Sequence, residues 1–368
     1  MPMQEAKYRQ VFEWIKENIE KGVFRPGERL ASETELSARF GLSRQTIRHA
    51  TGELAAEGYL TRVKGSGTYI SAALPERKDG QDGTVRPRTM NIAVISTLYG
   101  SYIFPETIKG KERVLSSRGY AMQVSFTDNR LHREKEILKA ILEKDAIDGL
   151  IVEPAKSALP NPNLDYYRQI QSRHIPILFF NASYPDFPAP CVRIDDTGIA
   201  RKATSLLIRS GHSRIGAIFK SDDSQGPLRY KGYLEAMDEA GCHTGQEQIL
   251  WIDTPESASL EELGDYLFRR LHGCTAVVCY NDQVAYQVIE LAESRGIHVP
   301  GDLSVVGIDD AYLAPMSRTP LTSFPHPKEG LGKKAAENLL RMIEEPGFDG
   351  NYLFDSEPVI RESVAVLN

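Results

Sequence analysis

The sequence is poor in cysteine and lacks long apolar runs. Its four cysteines show no metal-ligand spacing, so we expect reduced structural thiols rather than a metal site or a disulfide framework. No apolar run approaches the roughly eighteen residues that a membrane span needs, and the first residues lack the apolar stretch of a signal peptide. These absences predict a soluble, cytoplasmic protein without a membrane partner.

Motifs typical of enzymes are also missing. The sequence contains neither a phosphate-binding loop of the form G-x-x-x-x-G-K-[ST] nor a nucleophile elbow of the form G-x-S-x-G. Adjacent carboxylates such as Asp309-Asp310 would be compatible with glycoside hydrolysis, but no spacing singles out a general acid. We therefore predict a protein that is not an enzyme and that carries no catalytic residue, no metal and no cofactor.

Positive charge is concentrated near the N-terminus. Residues 1–72 hold 11 lysines and arginines against 9 glutamates and no aspartate, although the whole chain of 368 residues has a net charge of −6. A basic surface favours DNA because binding releases counterions. The same excess also occurs on ordinary solvated faces, so this signal needs support from local structure.

Local signals predict three helices and a hairpin within residues 1–72. Apolar residues recur at helical spacing from Tyr8 to Ile19, and Ser32-Glu33-Thr34-Glu35 has the form of a capping box. Ser43 can cap a third helix, and two short β-runs then flank a glycine-rich turn. The order predicts a winged helix-turn-helix, with the helix-turn-helix at about 32–51 and the wing at about 59–70.

The residues of this segment resemble the DNA-binding head of the GntR family. The resemblance rests on Pro26-Gly27-Glu28-Arg29-Leu30, on the capping box with Leu36, on Phe40-Gly41-x-Ser43-Arg44-x-Thr46-Ile47-Arg48 and on Gly65-Ser66-Gly67-Thr68-Tyr69. It implies that the first turn of the third helix reads bases of double-stranded operator DNA and that the wing tip enters the minor groove. The DNA-binding residues implied are Arg44, Gln45, Thr46, Arg48, Lys64 and Gly65.

The remainder predicts a linker followed by a large α/β domain. Residues 73–89 have neither helical nor strand periodicity and read as a flexible linker. From residue 90 to 368, short apolar runs alternate with helical segments, which predicts parallel sheets in two similar lobes. The predicted strands are Asn91–Ser96, Tyr120–Thr127, Gly149–Glu153, Pro176–Asn181, Arg214–Lys220, Thr275–Asn281 and Ser304–Asp309.

Polar residues follow several of these strands, where open α/β folds bind ligands. They are Glu153, Asn181, Asn281-Asp282 and Asp309-Asp310. Such acceptors suit sugar hydroxyls, with Arg229 as a donor and with Tyr99 and Tyr102 against a sugar face. Each terminal Asp or Asn could instead be a helix cap. Their repetition at four strand ends favours a site.

The large domain resembles the LacI-type effector domain, which is itself similar to periplasmic sugar-binding proteins. The motifs that carry this resemblance are Asp148-Gly149-Leu150-Ile151-Val152, Gly211-His212-x-Arg214-Ile215-Gly216, Arg229-Tyr230-x-Gly232-Tyr233, Asn281-Asp282-x-x-Ala285 and Val299-Pro300-x-Asp302-Leu303-Ser304-Val305-Val306-Gly307-Ile308-Asp309-Asp310. It implies a bilobal domain that forms a homodimer and holds a sugar with Arg229, Asn281 and Asp309.

A GntR-type head on a LacI-type body resembles the arabinose-responsive repressors of Gram-positive bacteria. Further segments carry this resemblance, around Tyr102, from Ile151 to Ala158, and from Asn181 to Tyr184. We therefore add Tyr102, Glu153, Lys156 and Asn181 to the predicted ligand-binding residues. The implied effector is L-arabinose, which would release a repressor of sugar utilisation genes from its operator.

Other functions stay open at this point. The sugar could be a different pentose or hexose, and the regulator could be an activator or a repressor strengthened by its sugar. A transport receptor would share the bilobal body but would need a signal peptide and no winged head. A sugar-processing enzyme with a DNA-binding head is a further alternative. A GntR head can also carry an aminotransferase-like domain with a cofactor lysine, but the motifs of the LacI-type effector domain argue against it.

Overall fold

The structure, a computed structural model, describes residues 2–20, 23–56, 58–63, 66–71, 88–100, 102–242 and 245–367. The chain divides into two units, Met1–Arg86 and Pro87–Asn368, which we call the head and the body. The predicted boundaries, with a linker at 73–89, stay a prediction because residues 72–87 lie outside the described ranges. Across those ranges, no helix is both long enough and apolar enough to cross a membrane.

The head consists of three helices and a wing. The helices are α1 (Pro2–Glu20), α2 (Glu33–Phe40) and α3 (Arg44–Ala56), and the antiparallel strands are β1 (Leu60–Val63) and β2 (Gly67–Ile70). Residues 27–30 add a third extended segment to the wing, since Leu30 N–H donates to Thr68 O at 2.9 Å and Ile70 N–H donates to Glu28 O at 2.8 Å. A cluster of buried apolar side chains from all three helices and the wing forms the core.

The predicted start and stop signals of the head helices are present. Ser32 and Glu35 form both hydrogen bonds of a capping box at the start of α2, and Gly41 ends that helix with a left-handed φ of 65°. Ser43 Oγ accepts from Thr46 N–H at 3.2 Å, which caps α3. The capping residues therefore fix where α3 begins, and with it which side chains its first turn exposes.

The body contains two parallel sheets. Its helices are α4 (Phe104–Ser117), α5 (Leu131–Lys144), α6 (Leu164–Ser172), α7 (Asp196–Arg209), α8 (Gln225–Glu239), α9 (Thr254–Ala258), α10 (Gly264–Arg270), α11 (Asp282–Glu293), α12 (Leu313–Met316) and α13 (Lys328–Glu344). Its strands are β3 (Asn91–Ser96), β4 (Ala121–Phe126), β5 (Gly149–Val152), β6 (Ile177–Phe180), β7 (Cys191–Ile194), β8 (Ile215–Lys220), β9 (Ile249–Ile252), β10 (Ala276–Cys279), β11 (Ser304–Val306) and β12 (Tyr352–Phe354).

Each sheet builds one lobe. The first has six strands in the order β12-β7-β6-β5-β3-β4, and the second has four in the order β11-β10-β8-β9. All neighbouring strands run parallel. The chain crosses to the four-stranded lobe after β7 and returns through residues 322–327 to α13, which packs against α4 and the six-stranded sheet. The predicted class, two parallel sheets in two lobes, is confirmed.

Candidate functional site

The first turn of α3 is exposed while its opposite face is buried. Ile47, Ala50 and Leu54 have no exposed surface and pack in the head core. That packing leaves Arg44 and Gln45 in solvent, with the start of the helix open to a ligand. A helix N-terminus with exposed polar side chains suits both phosphate and base edges.

Arg48 is exposed on the same helix but is held by an ion pair. Its Nη2 lies 2.8 Å from Glu33 Oε2, and its Nε lies 3.1 Å from Oε1 of the same carboxylate. These hydrogen bonds lower the pKa of the Glu33 carboxyl and raise that of the Arg48 guanidinium. A contact between Arg48 and a base must therefore replace a two-pronged contact with Glu33.

The wing is fastened to α3 by Arg62. Its Nη2 donates to Thr51 Oγ1 at 3.2 Å and to Arg48 O at 3.4 Å. Beyond it, Lys64 and Gly65, the predicted wing-tip residues, lie outside the described residues. The described part of the wing is thus joined to α3 by a side-chain contact.

The body encloses a polar cavity of about 90 Å³ at the carboxyl ends of both sheets. Side chains from both lobes line it, following β3, β5 and β6 on one side and β8, β10 and β11 on the other. The polar and aromatic lining residues are Thr97, Tyr102, Phe104, Asn129, Glu153, Ser157, Asn181, Lys220, Asp223, Gln225, Arg229, Ser257, Tyr280, Asn281, Gln283 and Asp309. Donors and acceptors therefore converge on a space that only a small ligand can occupy.

Glu153 and Asn181 form one polar unit on the six-stranded side. Glu153 Oε2 accepts hydrogen bonds from the Ser96 hydroxyl at 2.8 Å and from the backbone and hydroxyl of Thr97. Its Oε1 accepts from Asn181 Nδ2 at 2.7 Å. A carboxylate has about four lone-pair sites, so Oε1 is the oxygen that keeps acceptor capacity for a ligand.

Arg229 and Asp309 form the matching unit on the four-stranded side. The buried Arg229 donates from Nε to Asp196 at 2.8 Å and from Nη1 to the Tyr280 carbonyl, and its Nη2 lies 3.8 Å from Asp309 Oδ1. Asp309 Oδ2 accepts from the Tyr102 hydroxyl at 2.6 Å. Burial raises the pKa of Asp309 against the opposing effect of Arg229. This pair offers a hydroxyl-bearing ligand both a donor and an acceptor.

Lys220 and Asp223 add a second ion pair to the lining. The Lys220 amine lies 2.9 Å from Asp223 Oδ2, which also accepts from the Tyr280 hydroxyl at 2.8 Å. Burial alone would lower the pKa of Lys220, but Asp223 and Asp222 outweigh it and raise the value. Lys220 was not among the predicted ligand-binding residues although it ends a predicted strand, because the pattern at the strand ends singles out acidic and amide side chains.

The lobes touch each other around the cavity. Asn129 Nδ2 donates to Thr254 Oγ1 at 2.6 Å, and the Ser224 N–H donates to Ser157 Oγ at 2.9 Å. Together with the contact of the Tyr102 hydroxyl with Asp309, these bonds join the two lobes around the cavity.

Comparisons with known proteins agree with this architecture. Residues 7–70 match the bacterial regulatory proteins of the gntR family, and residues 204–364 match the periplasmic binding protein-like domain. An arabinose metabolism transcriptional repressor of Geobacillus stearothermophilus is 38% identical over 362 residues, which cover 97% of both chains. Its counterpart from Halalkalibacterium halodurans is 37% identical over 98% of this chain and 97% of its own.

The chain belongs to this family of transcriptional repressors. Among solved structures, the transcription regulator GntR from Chromobacterium violaceum superposes with a TM-score of 0.65 at 26% identity, covering 74% of this chain and 98% of that one. The predicted DNA-binding repressor with a GntR-type head and a periplasmic-binding-protein-like body is thus confirmed.

The structure brings most of the ligand-binding residues predicted for this repressor to one cavity. Tyr102, Glu153, Asn181, Arg229, Asn281 and Asp309 all line it. Asn281 also caps α11, because its Oδ1 accepts from Val284 N–H at 3.0 Å, so the helix-cap alternative holds for this residue. The roles of these six residues in binding a sugar stay a prediction.

Two side chains lie elsewhere. Lys156 is not among the described residues that line the cavity, and its amine pairs across the lobes with Asp222. Its φ of 48° is left-handed and places it in a turn after β5. Tyr99 is 72% exposed and packs on Phe126 rather than in the cavity.

Proposed function

We propose that the cavity of this repressor binds L-arabinose and that the bound sugar weakens its hold on operator DNA. The convergence of Glu153, Arg229 and Asp309 on one small cavity carries the proposal. Carboxylates and a guanidinium in one site can hydrogen-bond several vicinal hydroxyls at once. The relatives named for arabinose metabolism support the choice of sugar.

Titration calorimetry with a panel of pentoses and hexoses tests the ligand. We expect L-arabinose to bind more tightly than its epimers and Asp309→Ala to lose binding, because the variant removes the acceptor opposite Arg229. Asp310→Ala is the matched control, since the Asp310 carboxylate pairs with Arg361 outside this cavity. Binding by none of the sugars would refute the proposed effector class.

Footprinting with and without L-arabinose tests the direction of control. We expect the sugar to release the wild type and to leave Asp309→Ala on the DNA. By thermodynamic linkage, operator DNA must lower the sugar affinity by the same factor, which is about 5–150-fold for typical coupling. Footprints that strengthen with sugar would reverse the proposed sign and make the sugar a corepressor.

We further propose that the body forms a homodimer through the flank that carries β4 and β9. Both are edge strands, and the Asn129–Thr254 hydrogen bond joins the loops that follow them, so the two edges lie on one flank. Trp251 in β9 is 40% exposed, and a groove of about 750 Å³ runs beside β4 and α5. Unpaired edges with exposed aromatic surface favour pairing with a second copy.

Sedimentation analysis of Trp251→Glu tests this flank. We expect the variant to become a monomer and to bind operator DNA more weakly, because two joined heads act together on two half-sites. Tyr352→Glu in β12, the edge strand at the other end of the six-stranded sheet, should remain a dimer. A dimeric Trp251→Glu together with a monomeric Tyr352→Glu would move the interface to the opposite edge.

The relatives are named as regulators, and we infer that this repressor binds its sugar without converting it to a product. We also infer that the protein acts in the cytoplasm, where its operator DNA lies. Chromatography of L-arabinose after prolonged incubation with the protein should recover the sugar unchanged. Any product that disappears with Asp309→Ala would restore the enzyme alternative.

A further inference from the structure

His326 lies on the segment that returns from the four-stranded lobe to α13. Its backbone N–H donates to Asp309 O at 3.0 Å, and its side-chain Nε2 lies 3.2 Å from Asn181 Oδ1. The side chain is buried, and the residue is not among the described residues that line the cavity. One residue outside the cavity therefore contacts a cavity residue of each lobe.

The hydrogen bonds around His326 have a defined direction. Asn181 uses its Nδ2 to donate to Glu153 Oε1 at 2.7 Å, so its Oδ1 is the acceptor that faces the imidazole. His326 must then present a protonated Nε2 to Asn181. Burial, together with Lys328, Arg229 and Lys111, lowers the pKa of His326 to about 3, which keeps the ring neutral at physiological pH.

A chain of donors thus runs from the returning segment into the six-stranded side of the cavity. His326 donates to Asn181, Asn181 donates to Glu153, and Glu153 is fixed from behind by Ser96 and Thr97. Asn181 itself has a left-handed φ of 63°, so its amide direction is not set by regular strand geometry. The imidazole supplies the partner that selects one amide orientation.

We propose that His326 is a positioning residue of the sugar site, which fixes the Asn181 amide and the free lone pair of Glu153 relative to Asp309. This inference rests on the proposed function of the cavity. Because Pro325, the preceding residue, forms a β-bridge with Asp309, any change in the path of the returning segment is transmitted to both lobes. His326 therefore links the arrangement of the lobes to the geometry that recognises the ligand.

Calorimetry with L-arabinose on His326→Phe and His326→Gln tests the role. Phenylalanine fills the space but leaves Asn181 Oδ1 without its donor, and we expect the dissociation constant to rise about tenfold, as for a lost buried hydrogen bond. Glutamine can still donate from its amide, and we expect binding within about threefold of the wild type. If His326→Phe does not fold in a thermal unfolding control, His326→Leu replaces it.

A double-mutant cycle separates positioning from general damage. Asn181→Ala removes the group through which His326 acts, so adding His326→Phe to it should cause no further loss of sugar affinity. Losses that multiply in the double variant, or a His326→Phe protein that binds as tightly as the wild type, would overturn the assignment. A wild type that binds no sugar would instead overturn the proposed function itself, and the assignment with it.

Discussion

Lys111 in α4 is a fully buried amine whose Nζ has no hydrogen-bond partner among the described residues. The Nζ lies 3.5 Å from the centre of the Phe180 ring. Burial lowers the pKa of Lys111 from 10.5 to about 7, although Glu153 opposes this effect. A cation–π contact recovers only part of the hydration that the amine loses.

We expect Lys111→Met to stabilise the body and to change how its stability depends on pH. Between pH 7 and 10.5 the unfolded chain holds a proton that the folded chain has released. The free energy of unfolding should therefore rise with pH in this window, by up to roughly 1.4 kcal/mol per pH unit. Below this window both states hold the proton, and the burial penalty is constant.

Urea unfolding at pH 7, 8 and 9 checks this expectation. Lys109→Met is the control on the same helix, since its exposed amine pairs with Glu329 at 3.2 Å and should not change the slope. A Lys111→Met protein that keeps the pH dependence of the wild type would show that the slope comes from another group.

Arg48 in α3 is the head residue for which we expect the largest loss of sequence discrimination. Arg48→Ala should weaken operator binding by about 1–3 kcal/mol, the range for a lost base contact, and leave binding to random DNA nearly unchanged.

Glu33→Gln should strengthen operator binding, because it frees Arg48 and removes a negative charge near the DNA. Gel-shift titrations on both DNA types measure these effects. An equal loss on both would assign Arg48 to phosphate.

The sequence predicted those site residues that lie at strand ends. Glu153, Asn181 and Asp309 follow buried apolar runs, and parallel strands bring such ends together. Lys156 shares that neighbourhood, but its partner Asp222 is 66 residues away, in the other lobe. His326 carries no strand-end signal because only the returning segment between the lobes places it beside Asn181. Long-range pairings of this kind are fixed by topology rather than by local pattern.

Helices α4 and α13 pack with their backbones in direct contact. A Cβ at Gly332 would lie 2.0 Å from Thr107 O, and one at Gly110 would lie 2.2 Å from Glu329 O. The two helices can approach this closely only because neither position has a side chain. The contact also joins α13, which follows the returning segment, to the six-stranded lobe.

We expect Gly332→Ala to destabilise the body by about 1–3 kcal/mol, because the added methyl group overlaps backbone atoms that cannot move aside. Gly330→Ala on the same helix is the matched control, since the nearest atom to its Cβ would be 3.8 Å away. The control should be neutral or more stable by up to about 1 kcal/mol through helix propensity. Thermal unfolding of both variants compares them, and equal midpoints would contradict the close packing.

Most of the described strands were predicted from the sequence, and three were not. The predicted strands at Asn91–Ser96 and Gly149–Glu153 correspond to β3 and β5 and lie inside the six-stranded sheet. The missed strands are β7, β9 and β12, each three or four residues long. β12 pairs with β7 about 160 residues earlier, and its mostly exposed side chains give no apolar signal.

At the scale of the whole molecule, the distribution of charged and apolar residues along the chain predicted the order of the head and the body. The basic, hairpin-bearing N-terminus and the alternating apolar runs that follow it predicted a DNA-binding head and a bilobal body. The sequence could not show that the lobes meet over the cavity, since the cross-lobe bonds join residues such as Asn129 and Thr254, which are 125 positions apart.

The closed cavity predicts how fast the repressor responds. The cavity has a volume of about 90 Å³, and the Tyr102–Asp309 and Lys156–Asp222 contacts join the two lobes, so we expect these contacts to break before a sugar enters. We expect the observed binding rate in stopped-flow mixing to level off at high sugar concentration, at the rate of lobe opening. Lys156→Met should raise that plateau, and Lys139→Met on exposed α5 surface should not. A rate that stays linear in sugar would contradict this.

Under the proposed function, such a plateau means that the repressor responds to long exposures to sugar and not to short ones. A pulse of sugar shorter than the interval between openings would pass before most molecules could admit it, and the genes would stay silent. A sustained supply would find nearly every molecule open at some moment. The few hydrogen bonds that join the lobes around the cavity would then set the shortest exposure to sugar that induces the genes.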